Sequence, residues 1–482
     1  MSGARRARRP LQLKVMFSGV KVKRAVLFPL IGLTAFFSIL FLFRVGQRDV
    51  PETEPSEFDE LSLDFLDYPP TYRDLREAEW NLPQHNLDLP FPEGRNGRFV
   101  KFSCEIGYLG FNNVLNERFL AYKSNRAYVF TEYTWKPDYY PWPEERRLVW
   151  PLSTPMSALI AGPTVGGAWP ANDTAPRAIS SRWWDVVCPP ERRRIMFTRE
   201  VKTKPGVWDG LGSDIFAAWQ KALLEAEEPC IEIVSVDRSE DDYPQVFDLR
   251  MFGTWKVLSL WDLFANGPVS QLLKTSPIVE RGVVTNHDLF ALSPDDVDPY
   301  SRMLAIHLRR GDYKQACISL SNWNSTYYSW NLHDFLPDHF DPPPGGTMGK
   351  NTPENEAKYM VHCLPTDEQI LQKIRDSKED YIRAVQAAGG KATVDVLYIL
   401  TNDNSNWLDE VKKTMKQDGW KKVVTSGDLK LDRETKEVNM AVDMDIARRA
   451  AVFIGNGWSS FTSNIVHRRL VDGKIPMSIR FY

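Results

Sequence analysis

MLAIHLRRGDY, residues 303–313, is an apolar run that ends in two arginines, a glycine and an aspartate. Residues 303–306 read as a buried β-strand. His307, Arg309, Arg310, Gly311 and Asp312 then stand at its carboxyl end, the edge at which open α/β sheets bind their ligands. A guanidinium presents a rigid fork of donors that matches phosphate oxygens, and a glycine lets the backbone approach closely. The segment therefore predicts an α/β sheet whose rim takes a diphosphate. Read by itself, the same turn is also compatible with a merely solvated surface loop.

The alternation continues on both sides. Downstream, periodicity predicts helices over 366–388, 407–418, 437–450 and 461–470, with strands over 394–400, at Val423 and Val424, and over 451–454. Upstream, residues 99–102 and 127–131 read as strands around a helix over 114–124, in which Val114, Leu115, Phe119 and Tyr122 fall at helical spacing. Helices are also expected over 215–226 and 255–264. Residues 135–210, rich in Pro, Gly and Trp, read as loops and an insertion, and 334–352, with its DPPPGG, as an exposed loop. The expected fold class is α/β, two facing Rossmann-like doubly wound domains over 93–300 and 301–482.

The chain of 482 residues has ample length for two domains. Its net charge of −3 gives no reason to expect a nucleic acid partner. Residues 1–24 carry eight basic side chains and no acidic one, and residues 25–43 carry no charge. Nineteen helical residues span roughly 28 Å, close to the thickness of a bilayer's hydrocarbon. The acidic flank that follows predicts a single transmembrane signal anchor at 25–43, a cytosolic basic tail at 1–24, and a stem at 44–92. The catalytic region is then lumenal, in the ER or Golgi. Asn172 and Asn324 become glycosylation acceptors. The five cysteines allow at most two internal disulfides, whose pairing the sequence leaves open, and no CxxC suggests zinc.

Three further loops offer suitable groups. Thr401-Asn402-Asp403 presents hydroxyl, amide and carboxylate to a nucleoside, or else caps a helix. Gly455-Asn456-Gly457-Trp458-Ser459-Ser460 leads into the last helix, whose free N–H groups suit a phosphate. Gly107-Tyr108-Leu109-Gly110-Phe111-Asn112-Asn113 is a strand-to-helix turn that can hold a sugar hydroxyl, and it lacks the GxGxxG of dinucleotide sites. GGTMGKN (345–351) is too short for a P-loop. Asp443 and Asp445 fall in a helical pattern that aims them apart, and His333, His339 and His362 lack metal spacing.

Taken in order, GFNNVLNERFLAYKSNRAYVF (110–130), HLRRGDY (307–313), ILTND (399–403) and DIARRAAVFIGNGWSSFTSNIVHRR (445–469) resemble the GDP-fucose protein O-fucosyltransferase family. The resemblance runs over residues 98–480, weakly between 135 and 290. It implies the GT-B arrangement and metal-independent, inverting transfer of fucose from GDP-fucose to a hydroxyl of a protein acceptor, with no cofactor. By position, Arg309 resembles the arginine that grips the donor diphosphate and stabilises departing GDP. His307 and Asp312 match the H-x-R-x-x-D frame, with Arg310 inside it. Asp403 resembles the carboxylate near the guanine, and Ser459, Ser460 and Phe461 the phosphate and base contacts. Asn112 matches the asparagine beside the transferred sugar, flanked by Gly110, Phe111 and Asn113. Some relatives carry a general-base Glu where this chain has Leu109. Glu105 is the nearby carboxylate put forward as base, and Glu117 another; neither matches the family position. The alternatives are a related transferase using another nucleotide sugar, and a catalytically silent sugar- or protein-binding protein on the same scaffold.

Overall fold

The computed structural model describes residues 68–482 apart from 105–110, 148–150, 312 and 345–350, and its strands gather chiefly into two five-stranded sheets. The N-terminal sheet comprises β1 (Phe99–Ser103), β2 (Ala127–Phe130), β3 (Ile179–Ser180), β4 (Arg193–Phe197) and β5 (Cys230–Val234). Its order is β3-β2-β1-β5-β4, parallel throughout. The C-terminal sheet comprises β6 (Met303–Leu308), β7 (Val396–Thr401), β8 (Lys422–Thr425), β9 (Val452–Gly455) and β10 (Ile479–Phe481). Its order is β8-β7-β6-β9-β10, again parallel. Both sheets belong to one compact unit.

Parallel strands covered on both faces are apolar without interruption, and β6 obeys this. Met303 and Ala305 enter the large core shared with the crossover helices, while Leu304, Ile306 and Leu308 enter a second core on the opposite face. A slip of one residue would exchange these two sets and bring the site residues to the wrong face. Register pairs Met303 with Val396 and Leu308 with Thr401, so β6 and β7 end level.

Crossovers are helical, as parallel pairing requires. α1 (Phe111–Lys123) and α2 (Gly212–Glu225) serve the N-terminal sheet. α3 (Tyr313–Asn322), α4 (Asp367–Ala387), α5 (Asn406–Gln417), α6 (Asn439–Arg449) and α7 (Ser460–Val471) serve the C-terminal one. Their starts are written in the sequence: Thr366 and Gln369 form a capping box for α4, and Ser405 caps α5. In α5, Leu408, Val411 and Met415 supply the buried stripe.

Several expectations change. Residues 68–92, read as stem, pack on the globular unit: Tyr72, Glu79 and Gln84 are buried, and Gln84 donates to the Ala178 carbonyl at 2.6 Å. The helix Pro277–Thr285 lies against α6, with Gly282 facing Val442, so by packing the C-terminal half starts before 300. The run 437–450 is broken at Val438 into Arg433–Glu437 and α6, and 255–264 is a 3-10 turn, Trp255–Leu260, followed by the short helix Trp261–Ala265. Residues 334–344 are irregular yet pinned, because Asp338 accepts from Arg480 and Lys373 while Leu336 is buried. Cysteines pair as Cys188–Cys230 and Cys317–Cys363. Cys104, outside both, donates its thiol to Glu117 at 3.9 Å. The anchor expected at 25–43 lies outside the described residues; among those described, no helix is long and apolar enough to cross a membrane.

Candidate active site

In the C-terminal sheet the winding reverses between β6 and β9, the position at which open α/β sheets take their ligands. β6 brings His307 and Arg309 to that edge, and β9 leads into the loop before α7. His307 sits under the start of α7: its Nδ1 is 3.2 Å from Thr462 Oγ1, its ring 4.9 Å from that of Phe461. Burial, with the Arg309 charge beside it, pushes its imidazole down to about 4. A neutral His307 is therefore a joint between strand and helix rather than a charge for the ligand.

The two arginines diverge. Arg309 donates through Nη2 to the Tyr139 hydroxyl at 3.1 Å, and its guanidinium lies 5.5 Å from the Tyr139 ring and 5.1 Å from that of Tyr313. Arg310 turns toward β7. It donates to the Pro365 carbonyl at 2.8 Å, lies 4.5 Å over the Trp407 ring, and its N–H donates to Asn402 Oδ1 at 3.2 Å. Adjacent residues at the end of a strand point to opposite sides, and Gly311 then turns the chain with φ 67°, a conformation that side chains resist. Beyond Arg310 lies a cleft of about 500 Å³ into which Asp367, Glu368, Asp403 and Trp407 face. Asp403 Oδ1 accepts from Ser405 N at 2.8 Å and Ser405 Oγ at 2.7 Å, so Asp403 supports the cap of α5 and Ser405 is the cap itself.

At the head of α7, Ser459 Oγ accepts from Thr462 N. The amides of Ser460 and Phe461 have no partner within the helix and aim beyond its end. The glycines of this loop are required by its close packing. A Cβ on Gly457 would lie 2.2 Å from the Tyr327 ring, and one on Gly455 would lie 2.3 Å from Thr462 Cγ2. They let the loop close-pack. Asn331 donates to the Gly457 carbonyl at 2.9 Å, and Asn456 donates to that of Cys363 at 2.9 Å.

On the N-terminal side, Glu105, Gly107, Leu109 and Gly110 lie outside the described residues, as does Asp312. Phe111, Asn112 and Asn113 open α1, a helix buried on every side from Asn112 to Ala121. Phe111 lies under the Arg118 guanidinium at 5.6 Å. Asn113 donates to the Phe247 carbonyl at 2.6 Å and accepts from the Tyr328 hydroxyl at 3.2 Å, a contact that ties α1 to the C-terminal half. The Asn112 side chain is buried with neither polar atom hydrogen-bonded. Such a group costs about 1–3 kcal/mol unless something supplies the missing bonds.

Other residues take structural roles. Asp443 accepts from Tyr398 and Ser426, whereas Asp445 accepts from Thr275 and Arg449, so the pair does not converge. Burial lifts the Asp443 carboxyl to about 6. Among the described residues no three His, Cys, Asp or Glu side chains stand together as a metal site. Asn172 is exposed, and Asn324 is half-buried with φ 51°. The geometry adds Tyr139, Trp407, Asn331 and Glu437, which sequence reasoning missed. Glu437, in the helix Arg433–Glu437, accepts from Tyr140 and Thr154 of the N-terminal half, and burial pushes its carboxyl up to about 7. Tyr139 sits in an aperiodic stretch, KPDYYPW, that carries no local signal.

No protein-family model matches the chain, and no curated protein matches it. Among solved structures it is similar to POFUT1 in complex with GDP-fucose, at 16% identity over 78% of this chain and 95% of that one, with a TM-score of 0.44. It is similar to NodZ alpha-1,6-fucosyltransferase soaked with GDP-fucose, at 12% identity over 78% and 92%, with a TM-score of 0.34. It is also similar to an Arabidopsis thaliana FUT1 mutant in complex with GDP, at 13% identity over 83% and 73%, with a TM-score of 0.32.

Proposed function

We propose that the protein is a glycosyltransferase that moves fucose from GDP-fucose to a hydroxyl of a protein acceptor, with inversion at the anomeric carbon. The observation that carries this reading is the placement of Arg309 just past the end of β6, at the reversal of winding, two residues beyond His307, which touches Thr462 and Phe461 at the head of α7. A guanidinium and two helix-end amides are donors suited to a diphosphate. The acceptor oxygen forms a bond to C1 of the sugar while the bond from C1 to the phosphate oxygen breaks, and its electron pair departs with GDP. Arg309 and the amides of Ser460 and Phe461 stabilise that charge as it develops. The acceptor's proton passes to a base, for which Glu105 is the carboxylate put forward. Asn112, buried and lacking partners, is suited to a hydroxyl of the sugar.

The neighbouring cleft supports guanine as the base. Guanine presents two adjacent N–H donors on one edge, which a carboxylate can accept together, and Asp367, Glu368 and Asp403 all face that space. Uracil presents a single N–H between two carbonyls, which carboxylates repel. Two disulfides suit an oxidising compartment, in keeping with a lumenal catalytic region anchored through residues 25–43.

A thermal-shift panel of GDP, UDP, GDP-fucose and GDP-mannose, run with and without EDTA, tests the reading. The guanine nucleotides raise Tm and the chelator leaves that shift intact. Stabilisation by UDP but not by GDP overturns the donor assignment, and a shift abolished by EDTA overturns the metal-independent form of the mechanism.

A further inference from the structure

The insertion of the N-terminal half reaches across to the diphosphate residues. Tyr133–Thr134 and Ser153–Thr154 pair antiparallel, and the chain between them buries Trp135, Tyr140 and Trp142 against Leu152 in a small core of its own. Tyr139 is left 49% exposed, and its hydroxyl accepts from Arg309 at 3.1 Å. The very next residue is anchored: Tyr140 donates to Glu437 Oε2 at 3.0 Å, and Thr154 on the return strand donates to Oε1 at 2.6 Å. Glu437 belongs to the C-terminal half. The loop is thus fastened to one half at the position adjoining the residue that touches the arginine.

We infer that Tyr139 is a positioning residue for Arg309, holding its guanidinium in the orientation that meets the donor diphosphate before the donor arrives. An arginine side chain left in water samples many rotamers, and ordering it on binding weakens the complex. Here one N–H is tied to the Tyr139 hydroxyl and the plane is flanked by the Tyr139 and Tyr313 rings. A charge fixed beforehand stabilises the departing nucleotide without rearranging at the moment of reaction. An exposed hydrogen bond of this kind contributes little to folding, so its consequence falls on Arg309.

The inference rests on the transferase reading, and the experiment separates the two. In the full-length protein, Tyr139→Phe, Arg309→Lys and the double variant are compared with wild type. GDP affinity is measured by calorimetry, donor hydrolysis by kcat and KM for GDP-fucose, and folding by Tm. Tyr139→Phe weakens GDP binding about fivefold and lowers kcat about tenfold, with Tm unchanged. In the Arg309→Lys background the same substitution has a much smaller effect on both, because the planar guanidinium that Tyr139 orients is gone. Equal losses in both backgrounds, or wild-type values in Tyr139→Phe, defeat the inference and leave the transferase reading standing. A wild-type protein that binds no GDP and hydrolyses no GDP-fucose removes both.

Discussion

The two sheets share an architecture and differ in how they are buried. In the C-terminal sheet β6 and β7 are enclosed along nearly their whole length, and their loops are held from behind: Asn402 and Pro365 take Arg310, while Cys363 takes Asn456. In the N-terminal sheet the outer strand β4 leaves Ile195 and Phe197 exposed, β3 is two residues long, and α1 carries polar side chains inside the core. The C-terminal half gathers Arg309, Arg310 and the head of α7 near the carboxyl ends of its strands, whereas the N-terminal half lends it single residues from a loop, Tyr139 onto Arg309 and Tyr140 onto Glu437.

The largest test of this contrast is Arg309→Ala. Loss of a preorganised charge lowers kcat/KM for the donor by about a thousandfold, with Tm unchanged; a loss below tenfold would move the chemistry away from that rim. The disulfides come next. Each closes a loop of similar length, separations of 42 and 46, and loop entropy assigns about 4 kcal/mol to each. Removing Cys188–Cys230 by paired Ser substitutions lowers Tm and spares GDP affinity. Removing Cys317–Cys363 lowers both, since Cys363 supports Asn456 and Cys317 lies in α3, next to the arginine turn. Equal effects on GDP affinity would erase the distinction between the halves.

The smallest effect concerns their joint. Glu437 has a folded pKa of about 7 against the ordinary 4.5, through burial, with Arg76, Tyr140 and Thr154 opposing. A carboxyl raised on folding favours the protonated form, so its cost is absent below about pH 4.5 and grows to roughly 3 kcal/mol as pH passes through 7. Glu437→Gln therefore loses stability relative to wild type at pH 5 and recovers much of it by pH 8, as read by Tm. A gap independent of pH excludes this group as the titrating one.

Much of the C-terminal half was legible because long apolar strands and capped amphipathic helices announce themselves locally. β6, β7, α4, α5 and α7 fall within two residues or so of their expected bounds. The same physics hid β3, β4 and β5: strands of two to five residues, one starting with Arg193-Arg194, show no periodicity against a loop-rich background. At the site, the sequence put Arg309, Asp403 and Ser459 at strand ends, where they stand. The need for Gly455 and Gly457 carries no local signal, since it is set by Thr462, a turn away, and Tyr327, distant in sequence. Tyr139 and Glu437 were beyond reach for the same reason, as their meaning arises only when two remote segments meet.

Ser270 Oγ lies 2.6 Å from His467 Nε2, Arg468 donates to the Ser270 carbonyl at 3.0 Å, and burial holds the His467 imidazole neutral. Gaping of the two lobes would strand these dry polar atoms together with Asn113 and Tyr328. Any ligand that enters between the halves therefore does so by local movement of loops around a seam that stays shut, not by the parting of the halves.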